Sequence, residues 1–267
     1  MHKSMLLLLG AAIGCATHAA TAAQMPAIPA YLQSAIADAS RPDSDKQRDV
    51  NRKPAEVLAF AGVKPGDKVG ELIPGRGYFT KLFCKVVGDK GHVYTVGISP
   101  STPRAGGPPR DMPRDMPAGA PPGAEAAAPA AGTPCTNVTA ADYKFAEFKM
   151  PGSLDIVWTS ENYHDLNNAM FGSGDMRPFN KAIYDSLKPG GVYLVEDHAA
   201  AAGVGKSATE TLHRIEKSAV IADVSAVGFV LDSESTVLAN PADDHKQGPF
   251  ALNGKSDKFL LKFRKKK

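Results

Sequence analysis

The sequence predicts an α/β fold: a mostly parallel sheet with helices on both faces and an antiparallel strand near the C-terminus. Three observations carry this. Short apolar runs alternate with segments of helical periodicity along most of the chain. A glycine turn at Gly75 and Gly77 joins one apolar run directly to a helix start. The last two strand-like runs have no helix between them, so they are expected to pair antiparallel.

Taken in order, Pro54 opens a helix whose apolar face is Val57, Leu58 and Ala61, and Gly62 stops it. After a turn at 64–67 come a strand at 68–73, a helix at 78–87, a turn at 88–91 and a second strand at 92–98. Further on, an apolar strand at 154–159 precedes a helix at 176–187, and a Lys-Pro-Gly-Gly turn at 188–191 leads into a strand at 192–196. A long helix at 206–227 follows, and two strands at 229–233 and 258–263 joined by a polar loop close the chain.

Two segments stand apart from this alternation. At the N-terminus, Lys3 precedes a short apolar run and the small residues Ala20, Ala22 and Ala23, so residues 1–23 read as a signal peptide. The apolar run is too short to span a bilayer. Ala12-Ile13-Gly14-Cys15 offers a second reading, a lipobox with cleavage before Cys15 and a lipid anchor on it. Either way the expected location is periplasmic or secreted. Residues 100–134 are rich in proline, alanine and glycine and contain a near-repeat from Pro109 to Pro117; they cannot build a core. Strand-like segments lie on both sides, so this stretch reads as a disordered insertion within a single domain, residues 24–267.

The formal net charge is +3, and losing the leader removes only Lys3, so bulk charge implies neither a nucleic acid nor a membrane surface as partner. The basic end at 264–267 reads as a solvated tail. Without Cys15, the remaining thiols are Cys84 and Cys135, in a compartment where disulfides persist. They can pair, or Cys84 can be an inert buried thiol in its apolar helical pattern.

The strand, glycine turn and helix start at 69–80 form the most informative segment. Gly75 and Gly77 let the backbone approach a ligand, the helix behind them presents free N–H groups, and Glu71 can accept hydrogen bonds from an ammonium group. The third glycine of a dinucleotide fingerprint is missing; Phe79 and Thr80 occupy that region. Asn162, His164 and Asp165 follow one predicted strand, and Asp197 and His198 end another. Ligands bind beyond the carboxyl ends of strands in such sheets. His164 is therefore a candidate general base, Asp165 its orienting partner, and Asn162 and His198 join the catalytic set. The alternative is local hydrogen bonding of loop ends. His164, Asp165, Asp197, His198 and His213 also offer metal-ligand types, but they show no compact ligand spacing, and no metal is assigned.

The run from Glu71 through Pro74, Gly75, Gly77, Tyr78 and Phe79 to Thr80 resembles the first motif of class I S-adenosylmethionine-dependent methyltransferases, and 187–191 resembles their turn before the fifth strand. More narrowly, Arg48-Asp49, Arg52-Lys53-Pro54, Asn162-Tyr163-His164-Asp165, Glu196-Asp197-His198 and His213-Arg214-Ile215-Glu216 together resemble a group of exported bacterial predicted methyltransferases. The resemblance implies a Rossmann-like methyltransferase fold with S-adenosylmethionine as cofactor. It would place Glu71, Gly75 and Gly77 around the methionyl end, with Pro74 and Tyr78 also binding the cofactor, and an acid at the end of the second strand, facing the ribose. Gly97 stands near that acidic position, and a missing charged hydrogen-bond partner costs about 1.5–3 kcal/mol. Asp142 is a candidate acceptor for the adenine amino group. The implied function is methyl transfer to a small-molecule acceptor. The alternative is an exported binding module that keeps the glycine turn for another metabolite or a protein partner.

Overall fold

A computed structural model describes residues 27–100, 135–171 and 174–267. The expected signal peptide with Cys15 and residues 101–134 of the expected insertion lie outside the described residues. The seven strands are β1 (Lys68–Leu72), β2 (His92–Ser99), β3 (Val138–Lys144), β4 (Leu154–Ser160), β5 (Leu187–His198), β6 (Val230–Ser235) and β7 (Lys258–Arg264). They form one sheet in the order β3-β2-β1-β4-β5-β7-β6. Strands β1 to β5 run parallel, and β7 inserts antiparallel between β5 and β6. The expected fold class is the observed one, including the antiparallel C-terminal strand.

Period-two alternation feeds a separate core on each face of the sheet. On β5, Val192 and Leu194 join the core formed with α1 (Ala30–Ile36), α3 (Pro54–Ala61) and α4 (Tyr78–Val87). Tyr193 and Val195 point the other way, toward α5 (Tyr163–Leu166), α6 (Arg177–Ser186) and α8 (Lys217–Ser225). Trp158, Phe79 and Phe83 pack ring against ring at the centre of the first core, and fully burying one such phenylalanine contributes about 1.5–3 kcal/mol. Among the described residues, no helix is long and apolar enough to cross a membrane.

Several elements depart from expectation. The predicted helix at 206–227 is two pieces, α7 (Thr209–Leu212) and α8, because His213 turns left-handed at φ 51° and Ile215 forms a bridge to Ala199. Arg214 holds the break down: fully buried, it donates to Asp243 at 2.7 Å and to the carbonyls of Ala199 and Gln247 at 2.8 Å. Three acceptors for one buried guanidinium outweigh the local helical pattern. The turn at 188–191 is drawn into β5 as an irregularity, with Gly190 at φ 76° and a register shift opposite Leu154 and Ile156. The sequence reading did not anticipate α1, α2 (Asp43–Arg52) or the edge strand β3, which carries little buried surface.

Cys84, on α4, and Cys135, just before β3, are joined by a disulfide with Cα atoms 6.0 Å apart, spanning 51 residues of sequence. A cross-link over a loop of this size stabilises chiefly by restricting the unfolded chain, by about 2–4 kcal/mol. Urea unfolding with and without reductant should show a loss of that order for the intact protein and none for Cys84→Ser/Cys135→Ser. Coincident curves for the oxidised and reduced protein would contradict it.

Candidate functional site

The carboxyl ends of β1, β4 and β5 open onto one cleft of about 220 Å³. Its first wall is the glycine turn. Ile73 and Gly75 adopt left-handed backbone at φ 48° and 55°, and Gly77, at φ 70°, caps the ten-residue helix α4. A Cβ on Gly75 would meet no protein atom within 4 Å, so the volume it would fill belongs to the cleft. Glu71, buried at the end of β1, accepts a hydrogen bond from Thr80 Oγ1 at 2.5 Å. Burial pushes its carboxyl up to about 8, against the pull of Thr80, Lys81 and Arg52. Trp158 also lines the cleft, and its indole N–H is buried without a hydrogen-bond partner among the described residues.

The second wall comes from α2. Arg52 lies 4.9 Å over the Tyr78 ring, and the Tyr78 hydroxyl donates to Asp49, which also takes a two-pronged contact from Arg41 at 2.7 and 2.8 Å. Tyr78 thus fixes α2 against α4 while lining the cleft. Arg52 pairs with Glu161, whose other oxygen accepts from Lys258 Nζ at 2.8 Å, and Lys258 reaches Glu196 at 3.6 Å. Burial opposes ionisation of Glu161, but Arg52 and Lys258 hold it well below the usual carboxylate range.

The third wall is a histidine cluster. Asp197, with no exposed surface, accepts from His164 Nδ1 at 2.7 Å and from the backbone N–H groups of His164 and His198 at 2.7 Å. Asp165 Oδ1 lies 3.2 Å from His164 Nε2 and 3.2 Å from His213 Nδ1. Burial acts to lower the His164 pKa, but Asp197 and Asp165 overcome it and raise it to about 10. His164 is therefore protonated at neutral pH, in contrast to the neutral base expected from the sequence. Burial lowers His198 to about 4, which leaves it uncharged, with Nδ1 2.8 Å from Ser256 Oγ.

Glu71, Pro74, Gly75, Tyr78, Asn162, His164, Asp165 and His198 all line this cleft. Asn162 does so as a brace, donating to the carbonyls of Ile73 at 3.1 Å and Ser160 at 2.6 Å and so tying the glycine turn to β4. Gly97 and Asp142 are register partners on β2 and β3, and neither is among the residues lining the cleft. Sequence reading assigned no role here to Trp158, Glu161 or Phe250. Phe250 sits 69% exposed at the rim with its ring 5.4 Å from His213, and a lone aromatic in a polar loop gives no periodic signal. A larger cavity, about 480 Å³, lies at the amino edge of the sheet. The lysines Lys64 and Lys188 there are paired with Asp67 and Asp155, so the unsatisfied chemistry is at the carboxyl edge.

No protein-family model matches the sequence, and no curated protein matches it. Solved structures resemble its fold. A SAM-dependent methyltransferase from Aquifex aeolicus is 15% identical with a TM-score of 0.53, covering 84% of this chain and 98% of that one. An arsenic(III) S-adenosylmethionine methyltransferase from Chlamydomonas reinhardtii is 17% identical with a TM-score of 0.51, covering 90% and 75%. The [4+2]-cyclase SpnF is 12% identical with a TM-score of 0.51, covering 86% and 85%. The likeness establishes the methyltransferase-type fold.

The Glu71 carboxyl has a pH consequence. Its folded pKa lies above its ordinary value, so the unfolded chain releases that proton first and the group's contribution to stability falls as pH rises from about 4.5 to about 8. Glu71→Gln should remove that part of the decline, read as unfolding free energy at several pH values across the window. An unchanged slope would place the Glu71 titration elsewhere.

Proposed function

We propose that this chain transfers a methyl group from S-adenosylmethionine to a small-molecule acceptor, and that it does so after export. The observation that carries the reading is a buried Glu71 at the end of β1 beside an open glycine turn, on a sheet of methyltransferase-type order. The residues present fit the cofactor. Glu71 would accept from the ammonium of the methionyl end, the first amides of α4 would face its carboxylate, and the cleft space at Gly75 would admit it without a clash. When bound, the cofactor supplies an electrophilic methyl group on a sulfonium.

The remaining residues would orient the acceptor and manage its proton. His198, uncharged and pinned through Nδ1, is in the state that accepts a proton. His164, clamped by Asp197, and Asp165 beside it form a fixed polar wall for the acceptor, and Asn162 positions the loop that carries both. Export is supported by the charged, apolar leader and by the Cys84–Cys135 disulfide, which persists in oxidising compartments. The mass of the native chain checks it: a start near Ala23 or Gln24 agrees, a lipid on Cys15 favours the anchored form, and an intact Met1 contradicts export.

A second reading, a binding module for another metabolite, is favoured by Gly97, which leaves the ribose position without an acid, and Asp142 does not line the cleft to replace it. Calorimetric titration with S-adenosylmethionine and S-adenosylhomocysteine separates the two. One saturable site is expected, abolished in Gly75→Val and tightened about ten- to a hundredfold in Gly97→Glu. With an acceptor found among thiols, phenols and amines, His198→Gln should slow turnover at unchanged cofactor affinity, by less than the about 10²–10⁴ of a base matched to neutral pH. Absence of binding of either compound to the unmodified protein would favour the binding module.

A further inference from the structure

The cluster of His164, Asp165 and His213 gathers two imidazoles and a carboxylate at separations that suit a metal ion as well as hydrogen bonds. One nitrogen from each imidazole and one oxygen of Asp165 all lie within 4.8 Å of one another. Asp165 Oδ1 is 3.2 Å from both His164 Nε2 and His213 Nδ1. Two atoms that each bind one ion at about 2.1 Å stand roughly 3.0 Å apart at a right angle and roughly 3.4 Å apart at a tetrahedral angle, so the two separations from Asp165 match the edges of a coordination polyhedron.

The surroundings hold each group in that position. Asp197 receives the far nitrogen of His164, the carboxylate–imidazole arrangement that orients a metal-bound histidine and fixes which nitrogen faces the ion. Asp197 is itself saturated by backbone N–H groups, so it does not compete for the ion. His213 takes a left-handed backbone at φ 51° and lines the cleft, and its neighbour Arg214 is locked into Asp243, which anchors the break between α7 and α8. All three groups line the same cleft as the glycine turn.

We propose that His164 Nε2, Asp165 Oδ1 and His213 Nδ1 bind a divalent first-row transition-metal ion at the acceptor end of the cleft. The ion displaces to solvent the Nε2 proton that His164 carries without it. Two imidazoles and one carboxylate suit an ion of intermediate softness, and a three-residue set on one side leaves coordination positions open toward the cleft. An oxygen or sulfur donor of the acceptor would take one of them, and binding to the ion lowers the pKa of such a donor. The ion thus orients and acidifies the nucleophile, while His198, outside the ligand set, remains to receive the proton.

The test uses the full mature chain, stripped with a chelator, titrated calorimetrically with zinc chloride and followed by visible absorption with cobalt(II) chloride, with no S-adenosylmethionine present. One equivalent per chain is expected. His213→Asn, which tolerates the left-handed backbone and so keeps the fold, should weaken binding by at least about a hundredfold, and Asp197→Asn, a positioning change, by about ten- to a hundredfold. His245→Ala, which removes a histidine paired with Asp257 in another loop, should leave it unchanged. Melting temperatures of the variants identify any that misfold. Absence of saturable binding to the unmodified chain, or undiminished binding in correctly folded His213→Asn, would overturn the site. The titration omits the cofactor, so its failure leaves the methyl-transfer reading standing, and the reverse holds too.

Discussion

The site depends on one buried carboxylate. Asp197 ends β5 with no exposed surface and accepts from the His164 ring and from two backbone N–H groups. Those contacts bind the loop after β4 to the end of β5, which fixes the positions of His164 and Asp165, the Asn162 brace and, through that brace, the glycine turn. A buried carboxylate stripped of such donors costs several kcal/mol, so the strand ends and the loop are ordered together. Parallel strands alone would bring these segments near each other; Asp197 sets their geometry.

A second polar seam sets the electrostatics of the cleft. Arg52, Glu161, Lys258 and Glu196 run from α2 across the loop after β4 to β7 and β5. With Glu161 ionised, two cations flank it, and the cleft presents positive charge on the α2 side while Glu71 retains its proton on the β1 side. The carboxylate of a ligand matches the positive side, and an ammonium placed beside Glu71 would draw off the proton that burial holds there. Arg48 and Arg52 also lie over the Tyr78 ring, at 5.2 and 4.9 Å, so its face carries both α2 arginines.

The central strands were legible because they are apolar on both faces and bounded by glycine and proline, as at β1, β4 and β5. Glu71, Gly75 and the 162–165 loop were legible because each follows such a strand. The edge strand β3 and the polar helix α2 were not, since neither carries the apolar periodicity on which sequence reading relies. The break at 213–216 was hidden for a different reason. It is imposed by Asp243, Gln247 and Ala199, all distant in sequence from Arg214. The spacing of His164, Asp165 and His213 likewise gave no compact ligand pattern, because the loop break, which only the fold reveals, brings His213 back to the other two.

The most direct test of the central claim is a crystal structure of the mature chain with S-adenosylhomocysteine. Density is expected in the carboxyl-edge cleft, with the ligand's ammonium within hydrogen-bond distance of Glu71 and its sulfur directed toward the wall of His164, Asp165 and His213. Density in the amino-edge cavity beside Lys64 and Lys188, or a bound ligand with Glu71 uncontacted, would contradict it.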